Sequence, residues 1–448
     1  MSTVAYSKPI PVIAAPDVLV CGAGLAGLGA AVAAARQGAS VWAVDRMGFA
    51  GGFFTNVIGS AFDGFVFEPT GRPVVGGIVF EMLERMAVIP PGTGPDHTYN
   101  VNGDFTEVEK HPDRLIPRCD PERFKRAADD ILLDAGVHPL FHTQVADVVV
   151  DGDRIDSVIL SNKAGLIAVR PKTVIDTTGD GDVAAWTGCP YEKAESLQPM
   201  ALHFRIDHVE LTFELRRRCA AVLEKARAAG RIGPYGGPWP ATFSGRDIYF
   251  NAVRTPGDCT DPEDLTQAEI QGRADAWRMY ELWKEELPEF ADAYFFTSGP
   301  TAGARESRRI VGDVTLTGDD IRQARRFDDV IVLGAWRIDR HPLHDSGYHD
   351  MPVVPPYDIS YRTLLPQGVD NLWVAGRCHS ATSEALASSR VTANAMGMGQ
   401  AAGTAAAMAI AAGCGSREVP IVNLQDHLVS AGCILDPDIA MHRLGEDP

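Results

Sequence analysis

One stretch near the start of the chain leaves few folds open: Asp17-Val-Leu-Val-Cys21, Gly22-Ala-Gly24-Leu-Ala-Gly27, an Ala-rich run to Gln37, and Ser40-Val-Trp-Ala-Val44 closing on Asp45. The first run is short, apolar and rich in β-type residues, so it reads as a strand. Leu28 to Gln37 is Ala-rich and free of proline, which suits a helix that Gly38 ends. Ser40–Val44 is a second strand. A strand, a glycine turn, a helix and a strand within about 30 residues make a βαβ unit with parallel strands.

Each glycine of the turn has a task. Gly22 permits the tight turn, Gly24 lets the main chain approach a pyrophosphate, and Gly27 lets helix and strand pack closely. Leu25 and Ala26 complete the turn, and the helix N-terminus that follows offers free N–H groups and the positive end of its dipole to the phosphates. Asp45, with Arg46 beside it, stands about twenty residues on, where a carboxylate accepts hydrogen bonds from an adenosine ribose. The same glycine spacing recurs at Gly179-x-Gly181-x-x-Ala184 and Gly397-x-Gly399-x-x-Ala402. The last lies inside a predicted helix, and the other is followed by no second strand and acidic residue.

Farther on, Asp120 caps a predicted amphipathic helix over 120–135, with Pro121 in its first turn and Gly136 as its stop. Val137 to Arg170 alternates apolar and polar residues around Asp151-Gly152 and Lys163-Ala-Gly165, which predicts about three antiparallel strands. Thr173–Thr177 and Asn371–Ala375 read as buried strands. From about 190 to 360 prolines, aromatics and arginines become frequent; a polar helix is expected over 262–287 and loops elsewhere. Val391 to Gly415 carries no charge, but it is made of Ala, Gly, Met and Thr rather than Leu, Ile and Phe. It reads as a fully buried helix rather than a membrane span.

Composition narrows the function. Apolar residues make up 45% and charged ones 22%, as in a chain that buries a core, and the net charge of −18 argues against nucleic acid and anionic membrane as partners. The eight cysteines form no Cys-x-x-Cys pair, so neither a disulfide framework nor an iron–sulfur or zinc spacing is present. They read as buried thiols in a reducing, cytoplasmic setting. No basic region followed by an apolar run opens the chain, so no signal peptide is expected.

Gly51-Gly52-Phe53-Phe-Thr55 follows closely on Asp45 and resembles the Gly-Gly extension of FAD-binding Rossmann proteins. With Asp120-Pro-Glu-Arg-Phe-Lys125, Val174-Ile-Asp-Thr-Thr-Gly-Asp180, Ala304-Arg-Glu-Ser-Arg-Arg-Ile-Val-Gly-Asp313, Arg326-Phe-Asp-Asp329, Asn371-Leu-Trp-Val-Ala-Gly-Arg377 and Gly399-Gln-Ala-Ala-Gly403, the chain from about 17 to 425 resembles the FAD-dependent oxidoreductase family, a broad bacterial group akin to succinate dehydrogenase/fumarate reductase flavoproteins. The resemblance implies an α/β fold: an FAD-binding Rossmann-like domain of the glutathione-reductase type with an inserted α+β substrate domain. The expected bounds are 1–190 and 361–448 for the FAD-binding domain and 191–360 for the insertion. It also implies that Val145 meets the adenine through its backbone and that Gly179 and Asp180 close over the adenosine side. Gly376 and Arg377 would lie along the ribityl and pyrophosphate, and Arg390 and Val391 would open a helix aimed at the flavin O2. Such a helix end stabilises the negative charge of reduced flavin. Non-covalent FAD is the expected cofactor.

Two constellations offer catalysis. Arg305-Glu-Ser-Arg308-Arg309 puts three arginines within five positions, suited either to forked binding of a substrate carboxylate or to ion pairs with Glu306, Asp313 and Asp328-Asp329 that pin the two domains together. If only one faces the flavin, Arg305 is the choice. The loop Asp339-Arg-His341-Pro-Leu-His344-Asp345, with His349 nearby, offers a general acid/base; surface histidines or a metal loop have the same spacing, and no metal is expected. His379 is a further candidate, since it follows Gly376-Arg377. The expected activity is a dehydrogenase or reductase moving a hydride between flavin N5 and a small-molecule substrate. A flavin monooxygenase is the nearer rival, though no second dinucleotide site is evident. An RNA-modifying flavoprotein would want a basic face and an electron relay would want cysteine clusters. A homo-oligomer stays open.

Overall fold

A computed structural model describes residues 4, 7–101, 109–343 and 351–442 of the protein. Val18, Leu19, Val20 and Cys21 are wholly buried, as a strand covered on both faces must be. They form the centre of a five-stranded parallel sheet, ordered Leu372–Val374, Thr173–Asp176, Val18–Cys21, Val41–Val44, His138–Leu140. Helix Leu25–Arg36 connects the two strands of the expected βαβ unit. Helix Pro121–Asp134 is capped by the Asp120 carboxylate, which accepts from the Glu122 and Arg123 amides.

The stretch Val137–Arg170 divides differently from the expectation. His138–Leu140 leaves the helix at Gly136 and returns parallel to Val41–Val44, as a βαβ crossover directs it to do. The antiparallel part is Gln144–Asp151, Arg154–Asn162 and Gly165–Val169, extended by Val12–Ala14 running parallel to the last strand.

The uncharged tract forms helix Thr392–Ala412, buried along most of its length and packed on Leu25–Arg36. Its small residues have a packing reason. A Cβ on Gly399 would collide with the Ala26 carbonyl, and one on Gly403 with the Ala30 carbonyl. The repeated glycine spacing there is a seam between two helices, not a phosphate turn. Among the described residues no helix is long and apolar enough to cross a membrane. All eight cysteines are free, and Cys259, Cys414 and Cys433 are half-buried while the others are buried.

The region after residue 190 is more regular than its composition suggested. Asp247–Phe250, Phe204–Asp207 and Tyr294–Ser298 form an antiparallel sheet in that order. Helices Phe213–Ala228 and Pro262–Glu286 complete a second core with it, in which Phe250 stacks on Trp283 at 4.2 Å. The first of these helices escaped the sequence reading because Arg216-Arg217-Arg218 dilutes its apolar face of Leu215, Cys219, Val222, Leu223 and Ala226. The main core also takes side chains between Leu316 and Leu365, so the second core ends well before residue 360.

Candidate functional site

Two assemblies meet where the parallel sheet faces the second core. The first is made of backbone. Gly22 has φ +101°, and a Cβ there would stand 2.5 Å from the Thr177 carbonyl oxygen; one on Gly27 would collide with the Gly22 carbonyl. Those two glycines serve turn and packing. Gly24 differs: a Cβ on it would meet nothing nearer than the Gly52 Cα at 3.8 Å. Gly24 is the N-cap of helix Leu25–Arg36 and brings no side-chain cap, so the first-turn N–H groups face the open side of the turn. Gly51 donates its amide to the Ala23 carbonyl at 2.8 Å, which lays the Gly-Gly loop against the turn. A cradle of uncapped amides walled by two glycines fits the diphosphate of FAD.

Asp45 ends its strand beside this cradle. Its carboxylate accepts from the Ala23 amide and the Met47 amide, both at 2.8 Å, and burial raises its pKa against those two bonds. The neighbouring segment is tied down by His142 N–H to the Met47 carbonyl and Thr143 N–H to the Asp45 carbonyl. Val145 follows directly as the second residue of strand Gln144–Asp151, paired with Leu160. Thr55 is wholly buried and donates its hydroxyl to the Ala50 carbonyl at 2.9 Å, so it shapes the loop. Phe53 reaches the other way, edge-on to His203 of the second unit at 5.7 Å.

Gly179, Asp180, Gly376 and Arg377 come together. Arg377 pairs with Asp180 at 2.9 Å, and Asp180 also accepts from Ser307 Oγ at 2.7 Å. Burial works against ionising Asp180, yet Arg377 and its hydrogen bonds hold it below the usual carboxylate range. Arg308 donates to Asp182 at 2.7 Å and to the Asp180 carbonyl, and Arg309 to Glu306 at 2.5 Å and the Ala381 carbonyl. Two of the three motif arginines are thus spent on ion pairs. Asp313 is not a partner of the motif, because Arg417 takes it, and Arg362 takes Asp328 and Asp329.

Arg305 is the exception. It is 6% exposed, and its guanidinium donates to the Pro199 carbonyl at 2.6 Å and to Asn251 Oδ1 at 3.3 Å. No carboxylate pairs with it among the described residues. Burial, with Arg390 nearby, lowers its pKa to about 9. Arg390 is half-buried, and it donates to the Asp339 carbonyl at 3.3 Å with the Asp339 carboxylate at 3.9 Å. Val391 caps helix Thr392–Ala412, whose Ala393 amide is already taken by the Asp63 carbonyl.

His341 is buried rather than on the surface. Its Nε2 meets the Asp339 carboxylate at 3.0 Å, its amide donates to Gln198, and its ring stands edge-on to Trp239. Burial, and then the Arg305 charge, lower its pKa to about 3, so its ring is neutral at pH 7. Burial raises the Asp339 pKa, but His341 and the charges of Arg390 and Arg305 outweigh that and hold it ionised. A cavity of about 480 Å³ opens beside His341, walled by Ser196, Leu197, Gln198, Arg340, Pro342 and Leu343. His344 and His349 lie outside the described residues. His379 stands apart from this group: it is wholly buried, with Ser389 Oγ at 2.8 Å from Nε2 and Thr363 Oγ1 at 3.4 Å from Nδ1, and burial alone lowers its pKa to about 3.

Three members of the cluster carried no signal in the sequence reading. His203 precedes a strand of the second sheet, and its Nδ1 is 2.8 Å from the Tyr249 hydroxyl. Asp63 follows the Gly-Gly loop and is influenced by Asp339 and Arg390. None of these residues sits in a spaced motif; the fold alone brings 63, 203 and 249 together.

The profile of the family described as FAD dependent oxidoreductase matches residues 17–428. Among curated proteins no match was found. Similar solved structures include a geranylgeranyl bacteriochlorophyll reductase-like protein from Thermoplasma acidophilum, at 13% identity over 96% of this chain and 89% of that one, TM-score 0.46. A flavin-dependent brominase is 16% identical over 92% of this chain and 83% of its own, TM-score 0.48. A flavoprotein/dehydrogenase from Cytophaga hutchinsonii is 14% identical over 92% and 82%, TM-score 0.44. At these scores the likenesses add nothing to the family match.

Proposed function

The chain belongs to the FAD-dependent oxidoreductase family, and from that premise we propose that it is a dehydrogenase or reductase acting on a small organic substrate that carries a carboxylate. Bound FAD supplies hydride chemistry at its N5. Gly22, Gly24, Leu25, Ala26, Gly27, Gly51 and Gly52 would hold its diphosphate, and Asp45, Arg46 and Val145 its adenosine. Gly179, Asp180, Gly376 and Arg377 would flank the ribityl chain, with Phe53, Thr55, Arg390 and Val391 around the ring. The unit built around the second core, from Leu202 to Phe295, would supply the substrate side together with Arg305 and His341.

The observation that carries this reading is Arg305: a buried guanidinium with only neutral oxygens as hydrogen-bond partners. The Asp339 charge offsets part of the cost of burying Arg305 without touching it, and a buried charge that no carboxylate contacts is destabilising. An incoming carboxylate removes that penalty and gains a forked, charge-assisted pair. The ionised Asp339 fixes the His341 ring by its Nε2. Together they position the substrate and keep its acid end away from bulk water.

The test is anaerobic. FAD-reconstituted protein is mixed with a panel of hydroxy acids and amino acids, with the amides or esters of each, and with NADPH. Loss of the visible flavin absorption with one acid, and not with its neutral derivative, is the expected result. Reduction by NADPH alone, followed by oxygen-dependent turnover of an uncharged substrate, would make the protein a monooxygenase instead.

A further inference from the structure

The cavity beside His341 has two walls from distant parts of the chain, Ser196–Gln198 and Arg340–Leu343. The first is firmly placed. Just beyond it Met200 and Thr255 exchange both backbone hydrogen bonds, at 2.8 and 2.9 Å, and Ala201 and Gly303 exchange theirs, at 3.0 and 2.7 Å. Between these bridges and the cavity, the Pro199 carbonyl accepts from the Arg305 guanidinium at 2.6 Å. This wall is therefore continuous with the platform of the proposed carboxylate anchor. The second wall is irregular chain that follows strand Val330–Gly334 and has no ladder of its own.

Gln198 spans the two walls. Its side chain is buried; Oε1 accepts the His341 amide at 3.1 Å, and Nε2 donates to Glu306 Oε2 at 3.3 Å. Chemistry fixes that orientation, because the amide turned over would set oxygen against carboxylate and nitrogen against N–H. Glu306 is a rigid base for it. It is buried and held by Arg309, whose Nε donates to the Ala381 carbonyl at 2.9 Å. One residue beyond His341, Arg254 Nη1 donates to the Pro342 carbonyl at 3.1 Å. The loose wall is thus tied at consecutive backbone groups by side chains remote in sequence. An ionised glutamate at 198 would keep the acceptor, lose the donor and face Glu306 with a like charge.

We propose that Gln198 is a positioning residue for the substrate: it holds the Arg340–Leu343 wall in place relative to Arg305, so that the cavity stands formed before the substrate arrives. The proposal rests on the reading that an acid substrate is anchored at Arg305. Gln198 takes no part in the hydride step. A wall already in place spares the ligand the work of ordering it. With the wall released, only a fraction of molecules is competent to bind, and the apparent Kd rises by the inverse of that fraction. Once the substrate is bound and the wall is closed on it, the reaction runs at its ordinary rate. Weaker binding with an unchanged limiting rate is therefore the signature.

Two measurements on the FAD-loaded full chain test this. Gln198→Met keeps the length and loses both bonds; Gln198→Glu keeps the bond to His341 and loses the one to Glu306. Amide hydrogen exchange needs no substrate. Exchange at the His341 amide should quicken about 10-fold in Gln198→Met, and less in Gln198→Glu, while helix Leu25–Arg36 exchanges as in the wild type. Single-turnover bleaching by the acid found in the panel then gives a Kd and a limiting rate. Gln198→Met should raise the Kd about 30-fold and leave the limiting rate within about twofold, with Gln198→Glu between it and the wild type. Should Gln198→Met fail to hold FAD, Gln198→Glu carries the same test with a rise of about 5-fold. An unchanged Kd, a fallen limiting rate at unchanged Kd, or wild-type exchange at His341 overturns the proposal. If no acid of the panel bleaches the wild type, the dehydrogenase reading fails, while the exchange measurement still decides whether Gln198 holds the wall.

Discussion

The two ends of the proposed site are built from opposite materials. At the N-terminal turn, binding capacity comes from what is missing: no side chain on Gly24, no cap on the helix, no bulk on Gly52. At the junction with the second core it comes from charged side chains drawn inward, a buried Arg305 and a half-buried Arg390 against a half-buried Asp339. A cradle of amides is neutral when empty and carries little penalty. A buried guanidinium that no carboxylate touches is strained in electrostatic terms until something arrives. The first design suits a cofactor that stays; the second suits a substrate that comes and goes.

The contrast can be broken most sharply at the glycines. Gly24→Val has room in the apo fold and a backbone conformation open to any residue, so it should melt near the wild type yet lose FAD by about 1000-fold, roughly 4 kcal/mol. Gly399→Val should instead unfold the protein, because its side chain has only the Ala26 carbonyl to enter; overpacking of that kind is destabilising by about 3 kcal/mol or more. Thermal melts and flavin titration together separate the two outcomes.

Arg305→Met probes the other end. It should keep its FAD, lose about 100-fold in kcat/KM for the acid substrate, and raise apo stability by about 1–2 kcal/mol, since an apolar side chain replaces an unpaired buried charge. A drop in stability would mean that Arg305 is a structural residue. A smaller effect belongs to Asp63. Its folded pKa of about 7 lies above the unfolded value of about 3.9, so the stability its protonated form contributes is complete below about pH 4 and is lost as pH rises through about 7. For a half-buried group screened by water that is about 1–2 kcal/mol. Denaturant midpoints of wild type and Asp63→Asn should therefore diverge across that window, with the variant the more stable above it. The least change is expected from Arg308→Ala: its pair with Asp182 is partly exposed and should be worth about 1 kcal/mol or less in chemical denaturation.

The same contrast explains what the sequence disclosed. A site written in backbone needs glycine at fixed intervals within one local unit, so Gly22, Gly24, Gly27 and Asp45 could be read in order and the parallel strands around them followed. The Arg305 motif and its own Glu306 were visible, but which of its arginines lacked a carboxylate depended on Asp182 and Arg417 arriving from elsewhere. His341 read as a loop histidine, either an acid/base or a surface residue, and the burial that decides between them comes from Gln198 and Trp239. Asp63, His203 and Tyr249 come from separate segments, and the second sheet that places two of them was hidden among prolines and aromatics.

The seam between Leu25–Arg36 and Thr392–Ala412 also sets an order of events during synthesis. A ribosome emits the glycine turn first, but the helix that covers its back is nearly four hundred residues away and appears among the last segments translated. At about 5–20 residues per second the nascent nucleotide fold stands half-clothed for tens of seconds. Its alanine and glycine face has no partner until that helix emerges.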